Sequence, residues 1–225
     1  MFRKLKMSFI INILIFVLTV VSTIFMLVGF QFMGYEEALT ATKIEAFKFY
    51  TVDSNILMGT MALIFAIYEL QFFKSKKNEI PNKVYILKLV ATVGVVLTFL
   101  TTVIYLAPFA PNGYFSMFKN SNLFYHLIIP LLSIITFTIF ESTDKIKFKD
   151  TFVGIITMFI YSIFYLVNVL IHVENGKVEI MYDWYGFVQN GLQAAFVVIP
   201  IMYLITYFIS CGLWFLNKKI SKYIK

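Results

Sequence analysis

Charge is what this chain has least of. Only 14% of its 225 residues are Asp, Glu, Lys or Arg, against about a quarter in a soluble domain. A water-soluble globule, a charged coiled coil and a solvated disordered chain are therefore excluded. A single cysteine, Cys211, rules out an intrachain disulfide and argues against redox chemistry or a thiolate metal site. Its apolar setting reads as that of a structural thiol. Ten glycines and five prolines are too few for a collagen-like or low-complexity chain. With two histidines, no H-E-x-x-H and no His-rich spacing, a metal site is not expected. A Gly-rich phosphate loop, a G-x-S-x-G elbow and a G-x-x-x-G pair are all missing, and no cofactor is expected.

What is there is apolar: 60% of the residues are hydrophobic, with 26 Phe and 14 Tyr, and the mean hydropathy is +0.83. Six stretches reach the roughly 20 residues needed to cross a bilayer: Met7 to Phe30, Phe49 to Phe73, Val84 to Ala107, Leu123 to Phe140, Phe152 to Ile171 and Gly191 to Leu216. None alternates polar with apolar, so the backbone in lipid must be satisfied by helices rather than by a barrel. The first stretch follows Arg3, Lys4 and Lys6 but exceeds a signal-peptide core and lacks a small-residue cleavage site, so it reads as a retained helix. The expected fold is all-α, a polytopic membrane protein with six transmembrane helices in one bundle and a single domain over 1–225.

Basic residues accumulate on cytoplasmic loops. Fourteen of the 19 fall at the amino terminus (Arg3, Lys4, Lys6), in the second loop (Lys74, Lys76, Lys77, Lys83), in the fourth (Lys145, Lys147, Lys149) and at the carboxyl terminus (Lys218, Lys219, Lys222, Lys225). Lys43, Lys48, Lys119 and Lys177 fall elsewhere, and Lys88, just inside the third span, is expected to snorkel to the cytoplasmic surface. Both termini are thus expected in the cytoplasm, the chain in the cell membrane. The net charge of +7 reads as topology and contact with anionic lipid rather than with nucleic acid. The loops Gln31 to Lys48 and His172 to Asn190 then lie outside. Both are aromatic and acidic, with Tyr35, Glu36, Glu37 and Glu45 in one and Glu174, Glu179, Tyr182, Asp183, Trp184 and Tyr185 in the other, and are read as caps on the bundle.

Polar groups in hydrocarbon are costly unless they face the bundle interior, and here they gather in the outer half. Thr51, Ser54 and Asn55 share one face of the second span, whereas Asp53 is turned about 200° from Thr51. Asn122, His126 and Ser133 align on the fourth, and Tyr161, Tyr165, Asn168 and His172 on the fifth. Gln189, Asn190 and Gln193 open the sixth. Ser54, Asn122 and Ser133 read as hydrogen-bonding glue between helices. His172, at an interface, reads as solvated or capping. His126, inside a span, is either a satisfied structural donor or a proton-transfer group.

Two segments, Phe47-Lys48-Phe49-Tyr50-Thr51-Val52-Asp53-Ser54-Asn55 and Phe124-Tyr125-His126-Leu127-Ile128-Ile129-Pro130, resemble the paired signatures of the androgen-induced-gene and ADTRP family of membrane threonine hydrolases, including its bacterial branch. The stretch Tyr161 to Leu170 with Tyr182-Asp183-Trp184-Tyr185 is similar to that family's aromatic helix followed by a tryptophan-tyrosine loop. Thr136 stands where the bacterial pattern has an acidic residue. The resemblance implies a multi-helix membrane enzyme that cleaves fatty acid esters of hydroxy fatty acids, with Thr51 as nucleophile and His126 as base. Such chemistry is physically reasonable, because a hydroxyl becomes nucleophilic once an imidazole in reach takes its proton. Asn55, Tyr165, Asn168 and Gln193 are candidates for the oxyanion or substrate, and Asp53 or Asp183 for orienting His126, with no spacing that selects between them. Membrane lipids and a lipid-like ester are the expected partners. A lipid-binding or small-molecule transporter or sensor, and a scaffold, are the competing classes.

Overall fold

The computed structural model describes residues 2–34, 42–75, 79–189 and 191–223. Tyr35, Glu36, Glu37, Lys76, Lys77, Asn190 and Lys225, named above for their loops, lie outside the described residues. Six helices are long and apolar enough to cross a membrane. The first is Phe2–Val28 and the second Tyr50–Ser75. The third runs over Asn82–Leu100 and continues as a π-helix over Thr101–Leu106. The fourth spans Ser121–Phe140 and the fifth Phe148–Ile171, opening with a 3₁₀ segment, Phe148–Ile155. The sixth is Ala195–Tyr223, entered through Leu192–Ala194. The hydropathy boundaries fall within a turn of these helices at most ends; the sixth helix extends two turns further, because amphipathic residues after Leu216 continue it past the apolar stretch.

The third helix is the axle of the bundle. Every residue from Lys88 to Thr98 is buried, so this stretch of the helix has no lipid face and packs against neighbours on all sides. Small residues set two close contacts around it. A Cβ on Gly59 would stand 2.7 Å from Thr19 Cβ, and one on Gly154 would stand 2.7 Å from Ser210 Cβ. Hydrogen at those positions lets the first and second helices, and the fifth and sixth, approach as small residues do in membrane interiors.

Proline shapes the fourth helix. Pro130 lacks an N–H and its ring collides with the carbonyl four residues back, that of His126. The chain answers with a π turn over Phe124–Ile128, which widens the helix at that carbonyl. A second π turn, Thr136–Phe140, closes with Glu141 N donating to Thr136 O at 2.8 Å and turns Glu141 inward.

At the end opposite the chain termini, residues 172–189 fold over the bundle. They begin with a hairpin of Val173–Glu174 and Lys177–Val178 in antiparallel register, joined by Asn175 and Gly176, both at positive φ. That Asn-Gly pair fits the tightest hairpin turn. Asp183 anchors the segment: it accepts hydrogen bonds from the Tyr165 hydroxyl and, at 3.1 Å, from Val188 N. At the terminal end, Lys145 Nζ meets Glu79 at 2.8 Å and holds its carboxyl below the usual carboxylate range. The pair is exposed and adds little stability.

Candidate functional site

Thr51 is in the first turn of the second helix, half-buried, beneath the folded segment. Tyr50 N donates to the Tyr185 hydroxyl at 3.0 Å, and the Tyr50 hydroxyl pairs with Thr157 Oγ1 at 2.8 Å. Burial, with Tyr161 beside it, pushes the Tyr185 phenol well above its ordinary range, so it remains a neutral partner. Tyr161 donates to Lys48 O at 2.5 Å and receives Trp184 Nε1 at 2.9 Å. Lys48 Nζ lies 5.5 Å from the Phe49 ring centre and 5.6 Å from that of Trp184. This aromatic mesh fixes the height of Thr51 in the bundle. It also places Thr51 in the first turn of the helix, at the positive end of its dipole, with Tyr50 N already spent on Tyr185 and Val52 N and Asp53 N on Phe49 O.

His126 is 2% exposed. Its Nδ1 is 3.0 Å from Met117 O. A carbonyl only accepts, so the hydrogen is on Nδ1 and Nε2 carries the lone pair. The orienting group is therefore a backbone carbonyl of the segment before the fourth helix. Neither carboxylate foreseen for that role fills it: Asp53 is exposed on the far side of its helix, and both oxygens of Asp183 are engaged by Tyr165 and Val188.

Asn55 joins the two turns. Its Nδ2 donates to Thr51 O at 2.8 Å, one turn above, and to Tyr125 O at 3.1 Å, the residue before His126. Both amide hydrogens are spent in this way, which makes Asn55 a clamp rather than an oxyanion donor. Its Oδ1 is buried and has no partner among the described residues. The Thr51 hydroxyl and the His126 ring are held on adjoining turns without a hydrogen bond between them among the described residues.

The other foreseen site residues are placed elsewhere. Asn168 Nδ2 donates to Tyr182 O at 2.7 Å, and Tyr165 is tied to Asp183; both hold the folded segment down. Gln193 is exposed. His172 caps its helix, Nδ1 donating to Asn168 O at 2.7 Å, and stacks on Tyr182 at 3.6 Å. Ser54 pairs with Thr98 Oγ1 at 3.3 Å on the third helix, as interhelical glue does, whereas Ser133 bonds its own helix at Ile129 O.

Two cavities flank these elements. The larger, about 390 Å³, is an apolar groove between the fifth and sixth helices lined by Leu166, Leu170, Phe196 and Ile199 among others. The smaller, about 30 Å³, touches Val52 and Tyr125 and carries Asn120, Ser121 and Asn122 on its wall. Neither of these two is lined by Thr51, Asn55, His126 and Asn168 together, as the polar stripes suggest: Asn55 is spent on Thr51 O and Tyr125 O, and Asn168 is drawn to Tyr182 O of the loop.

A second polar centre was not foreseen. Lys88 does not snorkel; it is 0% exposed and 3.4 Å from Glu141 Oε1. The third helix is central, so its side chain finds two carboxylates before it finds a headgroup. Glu69, on the second helix, and Asn12, on the first, complete this cluster. Its members were hard to see in the sequence because each is alone in its own helix, and only the packing unites them.

Comparison with known protein families, with characterised proteins and with solved structures finds no match.

Proposed function

We infer that this protein is an integral membrane hydrolase of lipid-like carboxylic esters, such as fatty acid esters of hydroxy fatty acids, with Thr51 as nucleophile and His126 as base. The observation that carries the reading is the Asn55 clamp, which fixes the turn bearing Thr51 against the π turn bearing His126. It is supported by the resemblance of those two turns to the signatures of the androgen-induced-gene and ADTRP family. It is supported also by the Nδ1–H tautomer of His126, which leaves Nε2 free to accept a proton.

In this mechanism the Thr51 Oγ–H proton passes to His126 Nε2 as Oγ attacks the ester carbon. Catalytic hydrogen bonds that are long in the free enzyme tighten once substrate is bound. The oxyanion forms at the amino-terminal turn of the second helix, where the positive end of the helix dipole favours it. The imidazolium protonates the leaving alkoxide. Water then attacks the acyl-threonine, with His126 taking its proton and Asn55 Oδ1 available to accept its second hydrogen, and the acyl–Oγ bond breaks as His126 returns that proton to Thr51 Oγ. The small polar cavity beside Tyr125 has room for about one water. The charge distribution supports cytoplasmic chain termini, which would put this site in the outer leaflet, where an acyl chain arrives sideways and its ester lies near headgroup depth.

A second reading, a lipid-binding membrane protein without hydrolytic chemistry, is favoured by the apolar groove between the fifth and sixth helices, which is large enough for a hydrocarbon chain. Activity-based labelling separates the two. A fluorophosphonate probe is expected to modify the purified protein at Thr51 and to fail on Thr51→Ala and His126→Ala. Wild-type hydrolysis of long-chain esters by a folded Thr51→Ala variant would overturn the hydrolase, and an inert wild type leaves lipid binding as the function.

A further inference from the structure

The cluster near the terminal end of the bundle has a charge that the membrane interior cannot hold. Lys88, Glu69 and Glu141 are 0%, 0% and 3% exposed, and Ser8 and Asn12 beside them are 0% exposed. Lys88 Nζ donates to Asn12 Oδ1 and pairs with Glu141 at 3.4 Å. Asn12 Nδ2 reaches Glu141 Oε1 at 2.8 Å and Glu69 Oε2 at 3.3 Å. Ser8 Oγ is 3.4 Å from Glu141 Oε1. With every group ionised, two carboxylates face one ammonium, and the site carries a net negative charge. Two carboxylates that share one amide nitrogen stand within about 6 Å of each other, a range in which like charges resist joint ionisation. An uncompensated charge in a medium of low dielectric costs several kcal/mol, which the group avoids by taking up a proton.

The hydrogen-bond pattern points the same way. Among the described residues, Glu69 Oε1 and Glu141 Oε2 have no partner. Each is an acceptor without a donor, and a carboxyl hydrogen is a donor that the pair can gain without changing a residue. Among the described residues, no other group packed on the cluster supplies the missing charge. The first helix adds Lys4, which is turned to Ser142 Oγ at 2.6 Å. The third adds Tyr85, stacked edge-on over Phe65 at 5.3 Å. The sixth adds Asn217, which donates to Phe137 O and Glu141 O. Beyond Tyr85 lie Lys145, 5.9 Å from its ring, and Glu79, already paired with each other. Tyr85 thus stands between the buried carboxylates and an exposed ion pair, and marks the short way to water.

We propose that Glu69, Glu141, Lys88 and Asn12 form an intramembrane proton-binding site that holds one proton on its carboxylate pair, with Glu69 the group that carries it. Binding forms one O–H bond on a carboxylate oxygen and moves no electrons. The site is separate from Thr51 and His126, at the other end of the bundle, and stands whether or not they hydrolyse esters.

Infrared spectroscopy of the purified protein in liposomes counts protonated carboxyls directly, by a C=O stretch that shifts in heavy water. The neutrality rule gives a different number for each variant. The wild type is expected to show one such band at neutral pH. Glu69→Gln removes it. Glu141→Gln also removes it, because Glu69 and Lys88 then balance each other. Lys88→Met doubles it, and Lys88→Met with Glu141→Gln returns it to one, which keeps the test open where Lys88→Met alone does not fold. A wild type without the band, or a band that survives Glu69→Gln, would overturn the proposal. So would a band present in choline buffer and lost in sodium at the same pH, which would make this an alkali-cation site.

Discussion

Buried polar side chains decide more per residue in this protein than apolar ones do, because hydrocarbon offers them no substitute for a lost partner. Lys88 is the clearest case. Removing one member of a buried ion pair costs about 3–5 kcal/mol, since the other is left as an unpaired charge or must be neutralised by a proton. Lys88→Met is therefore expected to lower thermal stability in detergent sharply, and Lys88→Met with Glu141→Gln to regain most of the loss. Additive losses in that double mutant would mean that the two side chains do not act as a pair. For Thr51 and His126 the expectation concerns rate. Under the proposed hydrolase, Thr51→Ala and His126→Ala are each expected to abolish ester hydrolysis, and their combination to be scarcely worse than either, because a nucleophile and its base work as one unit. Thr51→Ser retains part of the activity. Asp53→Asn, exposed on another face, stays close to wild type. Measured initial rates on long-chain esters in liposomes distinguish these outcomes.

At the scale of elements, much was legible and some was not, for physical reasons. Lipid requires about 20 apolar residues per crossing, so all six helices could be read from hydropathy. The aromatic loop over the bundle was legible as a cap because Trp and Tyr of 182–185 sit beside a polar helix end. The pairing of residues between helices was not. Asp183 looked like a partner for His126, yet a carbonyl at Met117 is nearer to the imidazole, and backbone groups carry no side-chain signature. Glu69 and Glu141 went unremarked in the sequence, since nothing in either helix alone reveals that both turn toward Lys88. The π turns were half legible: Pro130 marks the one at His126, but Thr136–Phe140 has no proline to announce it. Pro130→Ala is accordingly expected to let the fourth helix close into regular α geometry. That step would rotate His126 away from the Asn55 clamp. Hydrolysis should fall at least tenfold while the helical circular dichroism stays unchanged; an unaltered rate would show that the wide turn is not needed to present the imidazole.

For the molecule as a whole, the decisive quantity is which end faces the cytoplasm, since every statement about leaflet and substrate depends on it. The two polar centres are at opposite ends of the bundle: Thr51 opens its helix beneath the 172–189 segment, and Glu69 is near the far end of the same helix, about 27 Å away at 1.5 Å per residue. Loops at the Glu69 end carry Lys74, Lys83, Lys145, Lys147 and Lys149, and the end with Thr51 carries few basic residues. Anionic lipid and the insertion machinery retain such loops inside. The single native cysteine makes the test simple. Cys211 is half-buried against Thr151, so Cys211→Ala gives a background without thiols, and one cysteine is then introduced at Lys147 or at Lys177. A membrane-impermeant maleimide added to intact cells is expected to label Lys177→Cys and to leave Lys147→Cys unmodified until the membrane is opened. The reverse pattern would put Thr51 and His126 in the inner leaflet, where the ester substrate would have to be a cytoplasmic lipid, and would turn the proton site of Glu69 toward the outside.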